Sequence, residues 1–296
     1  MKRSRVVDTL FLLPVVLAFV LVIIIPFFLG IFYSLTDWNG VRSDVTFVGL
    51  VNYRSMFQSP EFLYSFLATV AFTVINIVLV NVVAFGLSLL CTSPIKLRNF
   101  YRAGFFVPNL IGGIVLGYIW QFIFNNALGQ IGATLGLSIF SKSMLSGQYS
   151  VIWAMSIVNT WQYAGYIMMI YVAGIQSIPS SLMEAANVDG ASYFTRLRKI
   201  LVPMMASSFT ISLFLTLTNS FKQYDMNSTL TNGGPAGLFM RKPVQASQLL
   251  AMNIYNTATK NNRYAEGQAR AVIFFLVLVV FSLLQVWYNK RKEVEM

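Results

Sequence analysis

The chain has 296 residues, 56% of them hydrophobic and only 10% charged; a soluble domain carries about 25% charged residues, so this composition excludes a water-faced globule and points to lipid as the solvent. The net charge of +11 falls mainly between apolar runs, where Lys and Arg set topology and meet anionic headgroups, and no basic and aromatic stripe forms a nucleic-acid module. Histidine is absent and cysteine occurs once, as Cys91, which removes an intrachain disulfide, a Ser-His-Asp triad and a His- or Cys-ligated metal, and leaves no cofactor expected.

A spanning helix needs about 20 apolar residues, and uncharged runs longer than this recur at 9–36, 62–95, 103–141, 143–183, 200–221 and 271–289. They predict about six transmembrane helices, near 9–35, 63–91, 103–124, 149–175, 201–221 and 267–289, in one all-α membrane domain over 1–296. The first run follows Lys2, Arg3 and Arg5. Its apolar core is longer than the roughly 7–15 residues of a signal peptide, so a retained helix is expected, kinked by Pro14 and Pro26. Gly113 and Gly117 form a GxxxG in the third run, a spacing that lets helices approach closely.

Segments 1–8, 92–102, 176–202 and 290–296 carry three Lys or Arg each. The alternate loops 36–61, 125–150 and 222–266 carry two, one and five over nearly twice the length. The denser set marks the cytoplasmic side, which places both termini there.

Between the fourth and fifth spans, 178–203 reads as two short helices and a bend. Ser181 with Glu184 three residues later is a candidate capping box. The stretch 182–188 suits a helix, Gly190 can end it in the left-handed region, and Pro203 suits the first turn of the next span. Leu182, Met183, Ala185 and Ala186 offer one apolar surface; Tyr193, Phe194 and Leu197 offer another. Either a partner protein or the chain's own membrane domain can cover them.

Glu184, Ala185, Ala186, then Gly190, then Ile200 and Pro203 resemble the EAA loop of permeases in binding-protein-dependent ABC importers. Val202 stands where that family usually has Leu. Phe47-Val-Gly-Leu-Val-Asn-Tyr53, Phe106-Val-Pro108 and Thr231-Asn-Gly-Gly-Pro235 resemble segments of the carbohydrate-uptake members, while Arg241-Lys242-Pro243 departs from them. The resemblance implies a type I importer permease fold in a bacterial or archaeal cytoplasmic membrane. It implies a coupling loop at 176–202 in which Glu184, Ala185, Ala186, Asp189, Gly190 and Ile200, with Pro203 just after it, serve docking on an ATPase, and an external loop at 222–266. The implied partners are a second homologous permease, two ATPase subunits, an external solute-binding protein and a carbohydrate solute. No Walker A sequence occurs in the chain, so ATP hydrolysis is expected in a partner subunit rather than here.

Polar groups inside a membrane are costly and often mark a pathway. Asn76, Asn81, Asn109, Gln121, Asn159, Gln162, Tyr163 and Asn219 fall within the runs, and Lys222, Gln223, Tyr224 and Asp225 follow the fifth. Asn159, Gln162 and Tyr163 lie three and four residues apart, on one helix face. With Asn219 they form the candidate substrate pathway, their amides and phenol suited to a neutral polyhydroxylated solute. The alternative role for each amide is a hydrogen bond between helices. The reading is therefore a sugar importer subunit; a polyol or glycerol phosphate ester is the alternative solute. A secondary transporter would be expected to show inverted repeats and an intramembrane carboxylate, and an intramembrane enzyme a paired acid or Ser-Lys site. Within the six spans neither inverted repeats nor an intramembrane carboxylate, single or paired, is seen.

Overall fold

The computed structural model describes residues 2–42, 44–136 and 142–290; the end of the third uncharged run at 137–141 and the basic group at 291–296 lie outside the described residues. Among the described residues, three helical stretches are long and apolar enough to cross a membrane: Thr9–Ser34, Pro60–Thr92 and Tyr264–Asn289. Three bent pairs bring the number to six if each pair is one span: Arg98–Leu110 with Gly113–Leu135 at 97°, Ser150–Gln176 with Ser180–Val188 at 68°, and Tyr193–Met204 with Ala206–Phe221 at 69°. The chain divides into two compact units, Met1–Ser59 with Ile254–Leu276, and Pro60–Asn253 with Val277–Met296.

In the first unit, helix α1 (Lys2–Phe19) runs through a π turn, Val20–Ile24, into α2 (Ile25–Ser34). Pro26 sits at the start of α2, and its missing N–H and ring account for the change in register just before it. The segment Phe47–Tyr53 has a structural task. Asn52 at the start of α3 (Val51–Gln58) donates through Nδ2 to the carbonyls of Ser34 and Thr36 at 2.9 and 2.8 Å, and the Tyr53 hydroxyl meets Ser34 Oγ at 2.7 Å. These bonds satisfy carbonyls that the end of a helix leaves unpaired. Trp38 stacks on Tyr33 with centroids 4.2 Å apart, and its carbonyl accepts from Ala265 N at 3.0 Å. Arg270 is buried, bonded to Thr257 Oγ1 and paired with buried Glu266, which also pairs with Arg263. A buried charge persists only when paired in this way.

In the second unit, α4 (Pro60–Thr92) and α8 (Ser150–Gln176) are the central pair and run parallel, Asn76 meeting Asn159 and Asn81 meeting Tyr171, with α12 (Ala206–Phe221) against both. One core cluster gathers Phe72, Leu116, Met155, Val158, Met226 and Leu249. A second gathers Val80, Ala84, Ile167, Met168, Tyr171 and Met205. A buried polar network crosses the three helices. The Tyr171 hydroxyl bonds Asn81 Oδ1 and Ser212 Oγ, each at 2.6 Å, and Asn81 Nδ2 reaches Thr216 Oγ1 at 3.3 Å.

The third run is not the straight helix expected at 103–124. It comprises α5 (Arg98–Phe106), a 3-10 turn Val107–Leu110, an extended break, and α6 (Gly113–Phe122) continuing through a π turn into α7 (Leu128–Leu135). Pro108 and the Gly112-Gly113 pair supply the physical cause, since one removes a donor and the other carries little helix propensity. Irregular backbone at membrane depth needs its carbonyls satisfied, and Gln162 Nε2 donates to the Ile111 carbonyl at 2.8 Å. The GxxxG packs closely: a Cβ on Gly113 would sit 2.8 Å from Asp225 Cβ, and one on Gly117 2.9 Å from Leu230 N. The facing helix is α13 (Asp225–Leu230), which leads to a hairpin of β1 (Ala236–Phe239) and β2 (Lys242–Gln245). Within Thr231–Pro235, the Thr231 hydroxyl meets Ser247 Oγ at 2.6 Å and the Gly233 carbonyl accepts from Ser247 N at 2.9 Å. That loop is a turn anchoring the hairpin.

Candidate functional site

Two places in the second unit carry the residues that the sequence singles out. The first is a cavity of about 400 Å³ lined by Tyr163 of α8, by Leu215, Thr218 and Asn219 of α12, and by Lys222, Gln223, Tyr224 and Asp225 just beyond. Tyr163 packs beside Tyr166 with ring centroids 5.3 Å apart. Asn219 lines the cavity, and its Oδ1 is buried and has no hydrogen-bond partner. The lining combines amides, phenols, one cation and one anion, groups that donate to and accept from polyols.

The four expected pathway residues are not equivalent. Tyr163 and Asn219 both line the cavity, and the structure joins them to the polar group 222–225 that follows the fifth run. Asn159 is buried outside the lining. Its Nδ2 donates to Asn76 Oδ1 at 3.1 Å, and its Oδ1 accepts from Gln223 Nε2 at 3.2 Å. It therefore links α4 to the cavity wall and positions Gln223. Gln162 is occupied at the break beside Ile111. Sharing a helix face did not give these side chains a shared task, because Asn159 is claimed by Asn76 of α4 and by Gln223, and Gln162 by the extended break at Ile111. Leu215 and Thr218 were missed. Together with Asn219 and Lys222 they occur at i, i+3, i+4 and i+7, the stripe of one helix face, and that periodicity would have found them.

The second place is the loop after α8. Helix α9 (Ser180–Val188) ends in a full Schellman motif: Ala191 N donates to the Ala186 carbonyl at 2.9 Å and Gly190 N to the Asn187 carbonyl at 3.1 Å, with Gly190 at φ +71°. The capping box expected at Ser181 and Glu184 is absent. Ser181 lies inside α9, whose N-cap is Pro179, a residue without a side-chain acceptor. The capped helix is the next one, α10 (Tyr193–Arg196), where Ser192 Oγ accepts from Thr195 N at 3.3 Å. A π turn, Leu197–Leu201, and α11 (Val202–Met204) follow. Pro203 therefore belongs to the segment before the 69° bend and not to the first turn of α12. Glu184, Ala185, Asp189 and Gly190 are exposed, Ile200 is half-buried and Ala186 is buried. Val188 is 88% exposed and Phe194 77%, beside exposed Leu182 and Tyr193. The chain's own described residues leave these apolar side chains uncovered.

Bent apolar helices around a polar cavity, with a loop of two short helices after α8, are the architecture of a membrane permease. Two crystal structures of a bacterial ABC transporter for the acidic polysaccharide alginate share the fold. One matches at TM-score 0.81 and 18% identity over 98% of this chain and 96% of that chain, the other at TM-score 0.79. Residues 84–294 match the model of the binding-protein-dependent transport system inner membrane component, and the chain belongs to this family. It is 42% identical over 97% of its length to a probable starch degradation products transport system permease of Thermoanaerobacterium thermosulfurigenes, of which it covers 95%. It is 30% identical over 97% of its length to a multiple sugar-binding transport system permease of Streptococcus mutans, of which it covers 96%. The chain is thus an all-α, multi-pass ABC importer permease subunit with a transport role.

Proposed function

We propose that this permease carries an oligosaccharide released from starch-like glucan, delivered by an external binding protein. The cavity that joins Tyr163 and Asn219 carries the reading. Its unpartnered amide oxygen and flat phenol rings suit sugar hydroxyls and the C–H face of a sugar ring. The name of the relative at 42% identity favours the same solute class. The exposed apolar surface of α9 and α10 serves as the docking face for an ATPase, and a second homologous permease completes the path between two such cavities. The proposed pathway residues are Tyr163 and Asn219, with Asn159 and Gln162 holding the wall. The proposed docking residues are Glu184, Ala185, Ala186, Asp189, Gly190, Ile200 and Pro203. Segments 1–8, 92–102, 176–202 and 290–296 face the cytoplasm in this reading.

The test is uptake by the assembled complex in proteoliposomes, with labelled maltotriose, glycerol and glycerol 3-phosphate compared. Uptake of maltotriose alone, dependent on the loaded binding protein, is the expected result. Preference for glycerol 3-phosphate would assign Lys222 to an anionic solute instead.

A further inference from the structure

The elbow between α4 and α5 has a feature the transport reading does not use. No Asp or Glu occurs in 62–183, yet Lys96, Arg98 and Arg102 fall close together there. Among the described residues no carboxylate pairs with any of them. Arg102 is held in place: its Nη2 donates to the Cys91 carbonyl at the end of α4 at 3.0 Å. Its Nε is buried and has no hydrogen-bond partner. The same side chain lines a cavity of about 400 Å³ with Asn99, Ala103, Phe106 and Met169, within the roughly 300–1,000 Å³ of small-molecule sites. The cavity is polar at the Asn99–Arg102 end. One helical turn further along α5 it is walled by Ala103 and Phe106. Leu97, Phe100 and Tyr101 beside it are exposed, as at a membrane interface.

We infer that this elbow is a specific site for one anionic phospholipid, its phosphate on Arg102 and Asn99 and the start of an acyl chain along Ala103, Phe106 and Met169. Charge complementarity selects the occupant: three cations that pair with no carboxylate among the described residues attract an anionic headgroup, and the cavity's apolar wall suits a lipid tail where a free phosphate has no use for it. The inference rests on the proposed topology only for the leaflet, which is the cytoplasmic one.

The complex is purified through a tag on this chain and exchanged against vesicles of phosphatidylcholine with phosphatidylglycerol. Lipid retained after detergent washing is then counted by mass spectrometry. Phosphatidylglycerol should be retained over phosphatidylcholine by about tenfold. Arg102→Gln should lose that preference and Arg102→Lys should restore part of it. Because Arg102 also holds the Cys91 carbonyl, the deciding variant is Ala103→Trp, which fills the cavity without altering a charge. It should lose retention as fully as Arg102→Gln. Full retention in Ala103→Trp, equal retention of the two lipids in the unmodified chain, or displacement by inorganic phosphate alone would overturn the site. Crosslinking of Ala103→Cys to another protein chain would also overturn it, by assigning the cavity to a partner. Retention in detergent does not depend on sidedness, so a reporter at Ser93 that reads external would refute the topology and leave the site standing.

Discussion

Asn159 and Tyr163 lie one turn apart on α8, and the structure gives them opposite duties. Asn159 bonds Asn76 and Gln223, while Tyr163 faces the cavity. Asn159→Leu should leave the buried Asn76 Oδ1 and the half-buried Gln223 Nε2 without the bonds they make to Asn159. Hydrogen bonds between membrane helices are worth about 0.6–1.7 kcal/mol, so the variant should melt earlier in detergent and assemble less. Tyr163→Leu should assemble normally and raise the KM for uptake. Asn219→Leu should also assemble normally, because its Oδ1 has no bond to lose, yet weaken uptake. Reversal of the two phenotypes, with Tyr163→Leu failing to assemble and Asn159→Leu altering only KM, would return Asn159 to the pathway. The sequence displayed every one of these polar residues. It did not display which carbonyl or amide on a distant helix each would meet, because the Asn159–Asn76 and Gln162–Ile111 pairings are tertiary.

At the scale of elements, the loop proposed to couple, 178–203, was legible where local chemistry decides and illegible where a bend does. Gly190 ends α9 in the left-handed region as glycine permits. The space around a Cβ there is open, so backbone conformation and not side-chain size is limiting within this chain. Gly190→Asn should therefore retain most solute-stimulated ATP hydrolysis by the complex, since Asn tolerates positive φ. Gly190→Pro, whose ring fixes φ near −65°, should abolish it while the protein still reaches the membrane. Equal ATPase rates in the two variants would remove the bend from the coupling account. Glu184→Ala should change stability by less than about 0.5 kcal/mol, because Glu184 is exposed and makes no cap. The GxxxG belongs to this scale too. Gly117→Leu should cost about 1–3 kcal/mol in thermal stability, since its side chain would displace Thr229 and the backbone of α13. The break at Ile111–Gly113 was missed for a physical reason: hydropathy counts apolar residues and is blind to direction, so a 97° turn leaves the third run looking continuous.

At the scale of the molecule, apolar runs, basic-residue density and the EAA-type spacing together pointed to an importer permease before any contact was known, and the family match over 84–294 agrees. Sidedness can be checked separately: a reporter inserted at Gly147 should read external, and a cytoplasmic signal there would invert the proposed topology. The central claim is that this chain moves solute only when an ATPase partner and a loaded binding protein act on it. The most direct measurement reconstitutes the complex in proteoliposomes, supplies ATP on the ATPase side, and follows ATP hydrolysis and labelled maltotriose uptake in the same vesicles. Both rates should rise together when the loaded binding protein is added outside, and both should fall to background without ATP. Uptake of the same size driven by an ion gradient, in vesicles holding this chain alone, would contradict the account.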